Sequence, residues 1–161
     1  MKNLIIYLSH HGTTEKVSRE IAGHLEGQTE IIKLSRKSKI DLVPYELVII
    51  GGSIHAGQIQ KEIKRFCTKH KTELLSKKLG LFICYMDKNN GQEEFEQAFD
   101  EDLRNHAIAH GLMGGEFLFE KMNFVEKLLV KKIAGISESK SDIDNEAIIN
   151  FNKTLIKESD D

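Results

Sequence analysis

Hydroxyl and imidazole side chains crowd one short stretch, "SHHGTT" from Ser9 to Thr14, between an apolar run and a helical pattern. Unpaired amide N–H groups at a helix start, together with the helix dipole, favour an anion such as phosphate. Gly12 permits a tight turn there, and Ser9, Thr13 and Thr14 add hydroxyl donors. The loop contains no Lys or Arg, so the anion would be held mostly by neutral donors. Two more polar stretches follow apolar runs, "GGSIHAGQ" from Gly51 and "YMDKNNG" from Tyr85. At the carboxyl edge of one parallel sheet, three such loops converge on one crevice. The alternative for the first loop is a helix that is merely well capped.

Strands and helices must hold those loops. "NLIIYL" (3–8), "TEIIKLS" (29–35), "YELVIIGGSI" (45–54), "KLGLFICYM" (78–86) and "HGLMGGEFL" (110–118) read as five strands. Their apolar runs are largely continuous rather than alternating, as in strands buried on both faces. Helical spacing appears in Val17, Ile21, Ala22 and Leu25, then in Ile59, Ile63, Phe66, Cys67 and Leu74. It returns in Phe95, Ala98, Phe99 and Leu103, from a start near Gln92, and in Ile143, Ala147, Ile148, Phe151 and Leu155. The last helix is expected from about Ser141, with a capping residue in "SDID". Strands alternating with helices predict an α/β fold, a doubly wound five-stranded parallel sheet with helices on both faces, in a single domain over residues 1–161.

One segment exceeds that plan. In residues 120–140, Phe124, Val125, Leu128, Leu129 and Ile133 form an apolar helical stripe beside Lys121, Lys127, Lys131 and Lys132. This predicts an extra amphipathic helix before the last one. It is either a lid that completes the fold or a helix resting, over residues 121–136, on an anionic membrane surface.

Composition excludes several classes. Lys+Arg at 23 against Asp+Glu at 25 gives a net charge of −2, without the basic field that nucleic acid requires. No signal-peptide pattern opens the chain, and no apolar run approaches the roughly 20 residues of a membrane span. Cys67 and Cys84 lack CxxC spacing and read as buried free thiols, which fits a cytoplasmic protein. His106 and His110 have zinc-compatible spacing but lack a metalloprotease Glu, so they read as exposed histidines at a helix end, and no metal is expected. His10 and His11 read as solvent-facing loop residues. There is no GxGxxG after the first strand and no GxxxxGK[ST], and Ser9 and Ser53 stand where a phospho-acceptor domain would need acids. A mononucleotide cradle is the reading left.

"SHHGTTEK" resembles the phosphate loop of the flavodoxin family, in which Ser or Thr, two residues, Gly, one residue and Thr are often followed by Glu. "VIIGGSIHAGQIQKEIKRF", "GGEFLFEKMNFVEKLLVKKI" and "SDIDNEAIINF" are similar to the branch of menaquinone-dependent protoporphyrinogen IX dehydrogenases of haem synthesis, over nearly the whole chain. The resemblance implies FMN, its phosphate held by Ser9, His10, His11, Gly12, Thr13 and Thr14. Its ring would lie between Ser53, Ile54, His55, Ala56 and Gly57 on one side and the loop of Tyr85, Met86, Asp87, Asn89 and Gly91 on the other. With no Trp in the chain, Tyr85 is the aromatic candidate beside the ring.

Implied in turn is an FMN-dependent oxidoreductase passing electrons from a reduced substrate to a quinone. No protein acid or base is assigned, because the flavin carries the electrons and the side chains position it. A small soluble electron carrier is the alternative, although such carriers are usually markedly acidic. A binding module with FMN as a structural or sensing ligand comes third.

Overall fold

A computed structural model describes residues 1–135 and 138–158. The first strand, β1 (Lys2–Tyr7), leads through the Ser9–Gly12 loop into α1 (Thr13–His24) and β2 (Gln28–Lys33). Then come β3 (Leu47–His55), a two-residue β4 (Gln58–Ile59), α2 (Lys61–Lys69), α3 (Lys71–Leu74) and β5 (Lys78–Cys84). They are followed by α4 (Gly91–Ala98), α5 (Glu101–His106) and β6 (Ala109–Leu112). Beyond these lie β7 (Gly114–Phe117), a 3-10 turn (Phe119–Lys121), α6 (Phe124–Ala134), β8 (Lys140–Ile143) and α7 (Asn145–Lys157).

Five strands lie in the order β2-β1-β3-β5-β6, all parallel, as the unbroken apolar runs require. Alternate side chains fill two cores. Leu4, Ile6, Val48, Ile50, Leu79 and Leu81 meet Ile63 and Phe66 of α2 and Phe95 of α4 on one face. Ile5, Leu47, Ile49 and Phe82 meet Val17 and Ile21 of α1 and Ile148, Phe151 and Leu155 of α7 on the other. The chain order reverses between β1 and β3, so a crevice opens beyond their carboxyl ends. Close approach is needed inside the sheet too: a Cβ on Gly51 would sit 2.0 Å from the Phe82 ring.

Several elements are shorter than their patterns. The expected fifth strand ends at Leu112. Gly114 then turns the chain with φ +66°, and a Cβ there would lie 2.0 Å from Asp142 O. Gly114–Phe117 pairs instead with Lys140–Ile143 in a separate antiparallel ladder. That pairing consumes Ser141, so the last helix begins at Asn145 rather than near Ser141; Asp144 is its cap, accepting from Ala147 N at 2.9 Å.

The 59–74 pattern is two helices, interrupted at His70. The 92–103 pattern is also two, because Phe99 is extended and Asp100 caps a new start by accepting from Leu103 N at 3.0 Å. His110 consequently lies in β6, not one turn beyond His106. Each ring instead meets a backbone carbonyl, Lys77 O for His106 and Arg104 O for His110, both at 2.8 Å.

The extra helix is present as α6, with Asn123 and Glu126 in a reciprocal capping box. Its apolar stripe faces outward: Phe124 is 76% and Ile133 75% exposed. Ile136 and Ser137, part of the segment expected to be amphipathic, lie outside the described residues.

Candidate functional site

Helix α1 starts without any side-chain cap, and Gly12 at its N-cap has φ +98°, a conformation that glycine adopts at no steric cost. Its first intrahelical bond runs from Lys16 N to Gly12 O. The amides of Thr13, Thr14 and Glu15 therefore have no acceptor within the helix and point toward the crevice. Ser9 Oγ accepts from Gly12 N at 2.9 Å, which fixes the turn and leaves its own O–H to donate. Thr14 is fully buried. The Cys84 thiol lies beside its Oγ1, which makes no hydrogen bond of normal geometry. A buried, unsatisfied hydroxyl at an uncapped helix start is costly unless a ligand completes it. Burial pushes the thiols of Cys84 and Cys67 up to about 12, so neither is a nucleophile at neutral pH.

The second stretch is less a loop than a hairpin. Ser53, Ile54 and His55 finish β3, and Ala56 and Gly57 form the two-residue turn into β4, both with positive φ (49° and 74°). A two-residue turn with φ positive at both positions matches strand twist, and Ala56 adopts it at some steric cost. Gln60 locks this edge to the first strand: its Nε2 donates to Ser53 Oγ at 2.6 Å and to Leu8 O at 3.3 Å, and its Oε1 accepts from Ser53 N at 3.1 Å.

In the third stretch Tyr85 N donates to Gly114 O at 2.7 Å, tying β5 to the turn before β7. The Tyr85 ring lies against Gly91, the first residue of α4, where a Cβ would be 2.3 Å from it. Asp87 holds the bend by accepting from Asn89 N and Asn90 Nδ2. Met86 sulfur rests against Gly115.

The first two loops meet through imidazoles. The His10 ring is 5.1 Å from His55 and 5.4 Å from His11, and Ser53 Oγ is 3.1 Å from His55 Nε2. Desolvation holds His55 below the usual imidazole range, and its neighbours His10 and His11 reinforce this. His11 Nε2 lies 3.5 Å from Glu126 Oε1 of α6, so the expected solvent-facing role fits His10 but not His11. Among the described residues no group of three or more His, Cys, Asp or Glu is arranged to hold a metal ion.

Four participants went unread in the sequence: Gln60, Glu116, Lys121 and Glu126. Glu116 of β7 accepts from Thr13 Oγ1 at 3.2 Å, Lys16 Nζ at 3.2 Å and Ser141 Oγ at 2.9 Å. Burial alone would raise its carboxyl, but these donors outweigh burial and hold it below the usual range. An acid inside the apolar run "LMGGEFLF" was its one sequence signal. Lys121 Nζ donates to His11 O at 3.3 Å. A separate hollow of about 300 Å³, lined by Lys64, Cys67, Phe99 and Arg104 among others, sits toward the far ends of α2 and α4, away from the crevice.

The arrangement can bind a phosphate-bearing planar ligand: donors at α1, a hairpin on one side and the Tyr85–Gly91 bend on the other. Comparison with known proteins shows what the chain is similar to. A 157-residue match to protoporphyrinogen IX dehydrogenase [quinone] of Leishmania major is 21% identical and covers 91% of this chain and 68% of that one. Oxidised flavodoxin 1 from Bacillus cereus superposes with a TM-score of 0.56 at 17% identity, over 98% of each chain. A flavoprotein in complex with FMN from Lactobacillus acidophilus NCFM gives 0.52 at 18% identity, over 71% of this chain and 91% of that one. A model of the flavodoxin domain matches residues 4–144, from the first buried strand to the cap of α7. The chain belongs to the flavodoxin family.

Proposed function

We propose that this chain is an FMN-dependent oxidoreductase that takes electrons from a reduced substrate and hands them to a quinone, with a protoporphyrinogen-type substrate as the specific reading. The observation that carries the cofactor reading is the uncapped start of α1 at the sheet's switch point, with the Thr14 hydroxyl buried and unsatisfied. The amides of Thr13, Thr14 and Glu15 and the hydroxyls of Ser9 and Thr14 would hold the phosphate, with His10 and His11 beside it; Thr13 Oγ1 already donates to Glu116, so Thr13 would contribute its amide. Ser53 to Gly57 and Tyr85 to Gly91 would flank the ring. FMN, when bound, supplies electron uptake and release. The side chains bind, orient and exclude water. The similarity to the Leishmania enzyme supports the substrate and acceptor classes.

The outward stripe of α6 supports a peripheral membrane contact. Phe124, Val125, Leu128, Leu129 and Ile133 are each at least half exposed, with Lys127, Lys131 and Lys132 on the same helix, a composition suited to an anionic lipid surface where a quinone enters. No helix among the described residues is long and apolar enough to cross a membrane. In this reading the protein works in the cytoplasm against the inner face of the membrane.

The test is a visible spectrum of the purified protein with added FMN, followed by anaerobic turnover with protoporphyrinogen IX and a menaquinone analogue. Flavin binding with turnover is expected. Binding without turnover of any organic substrate, with salt-sensitive transfer to a reductase, would reassign the chain as an electron carrier.

A further inference from the structure

The Ser9–Thr14 loop contains no Lys or Arg, yet a flavin phosphate near neutral pH carries between one and two negative charges. The fold brings a cation to this loop from far along the chain. Lys121 closes the 3-10 turn before α6, and its ammonium lies over the loop, 3.4 Å from where a Cβ of Gly12 would stand. One of its three donors is spent on His11 O. No carboxylate among the described residues pairs with it, whereas nearby Lys16 is engaged by Glu116. With no side chain at Gly12, nothing from that residue stands between the ammonium and the start of α1.

Resting on the FMN reading above, we propose that Lys121 is the cationic ligand of the flavin phosphate, supplied by the inserted segment rather than by the phosphate loop. The insert thereby has a role in cofactor binding as well as in any surface contact. Coupling is reciprocal. A phosphate seated at α1 also holds Lys121, and with it the turn that leads into α6.

The experiment titrates wild type, Lys121→Gln and Lys121→Arg with FMN and with riboflavin, following flavin fluorescence. Lys121→Gln is expected to weaken FMN about ten-fold, the usual weight of one charge-assisted hydrogen bond, and riboflavin by less than about two-fold. Lys121→Arg should retain most of the FMN affinity. Added salt should weaken FMN binding in wild type and much less in Lys121→Gln. Proteolysis supplies a second readout, because FMN but not riboflavin should slow cleavage between Leu118 and Gly135. Equal FMN affinity in Lys121→Gln and wild type overturns the proposal, and so does an equal loss for both flavins, which would mean a merely structural lysine. If wild type binds neither flavin, the cofactor reading itself fails, and that is visible before any variant is made.

Discussion

Phe82 and Phe124 are the same side chain in opposite situations. Phe82 lies in the central sheet, fully buried between Gly51 and Phe151, with its ring 6.2 Å from the Phe151 ring. Phe124 opens a helix in an excursion from the sheet and is 76% exposed. Burial of apolar area holds the first region. The second is held mainly by polar ties: the β7–β8 ladder, the Glu116 cluster, the Asn123–Glu126 box, and the contacts of Lys121 and Glu126 with His11. The sheet therefore supplies rigidity and the excursion supplies charge, and the crevice forms where the two meet.

That contrast breaks most visibly at the core. Phe82→Ala should cost about 3–5 kcal/mol in urea unfolding, while Phe124→Ala should stay within about 0.5 kcal/mol. Comparable losses would mean that the excursion is packed more deeply than its exposure indicates. Next in size is Thr14→Val, which removes a hydroxyl that has no partner in the protein alone. The variant should keep or gain stability without flavin, yet bind FMN about ten-fold more weakly. A loss of stability with unchanged FMN affinity would place the hydroxyl in the core rather than the site.

Asn123→Ala should cost about 1 kcal/mol, confined to α6 and read as faster amide exchange there with the sheet unaffected. Smaller still is a pH effect. Because the folded His55 pKa lies below its ordinary 6.5, the unfolded chain binds the proton first, and stability should fall as pH drops below that value. His55→Gln should flatten the slope.

The sheet was readable because burial on both faces leaves a one-dimensional trace, as in "NLIIYL" and "LVIIGG". The turn into α1 was readable because it depends on local backbone and adjacent hydroxyls. What escaped was long-range. The strand expected through Leu118 ended at Leu112, because Gly114 and a partner strand near residue 140 redirected the chain. Helices expected to run on were broken at His70 and at Asp100, and at Asp100 a cap competed with an apolar repeat that continued across it. Glu116 and Lys121 reach α1 only through the tertiary fold, about a hundred residues away, and nothing in their spacing announced it.

The most direct measurement is a titration of FMN into purified wild-type protein, freed of bound flavin, with flavin fluorescence as the signal. Saturable quenching at one FMN per chain, with riboflavin binding more weakly, is what a phosphate cradle at α1 predicts. FMN fluorescence that stays unchanged at high protein concentration would contradict the account, and the uncapped helix start would then belong to a different anion.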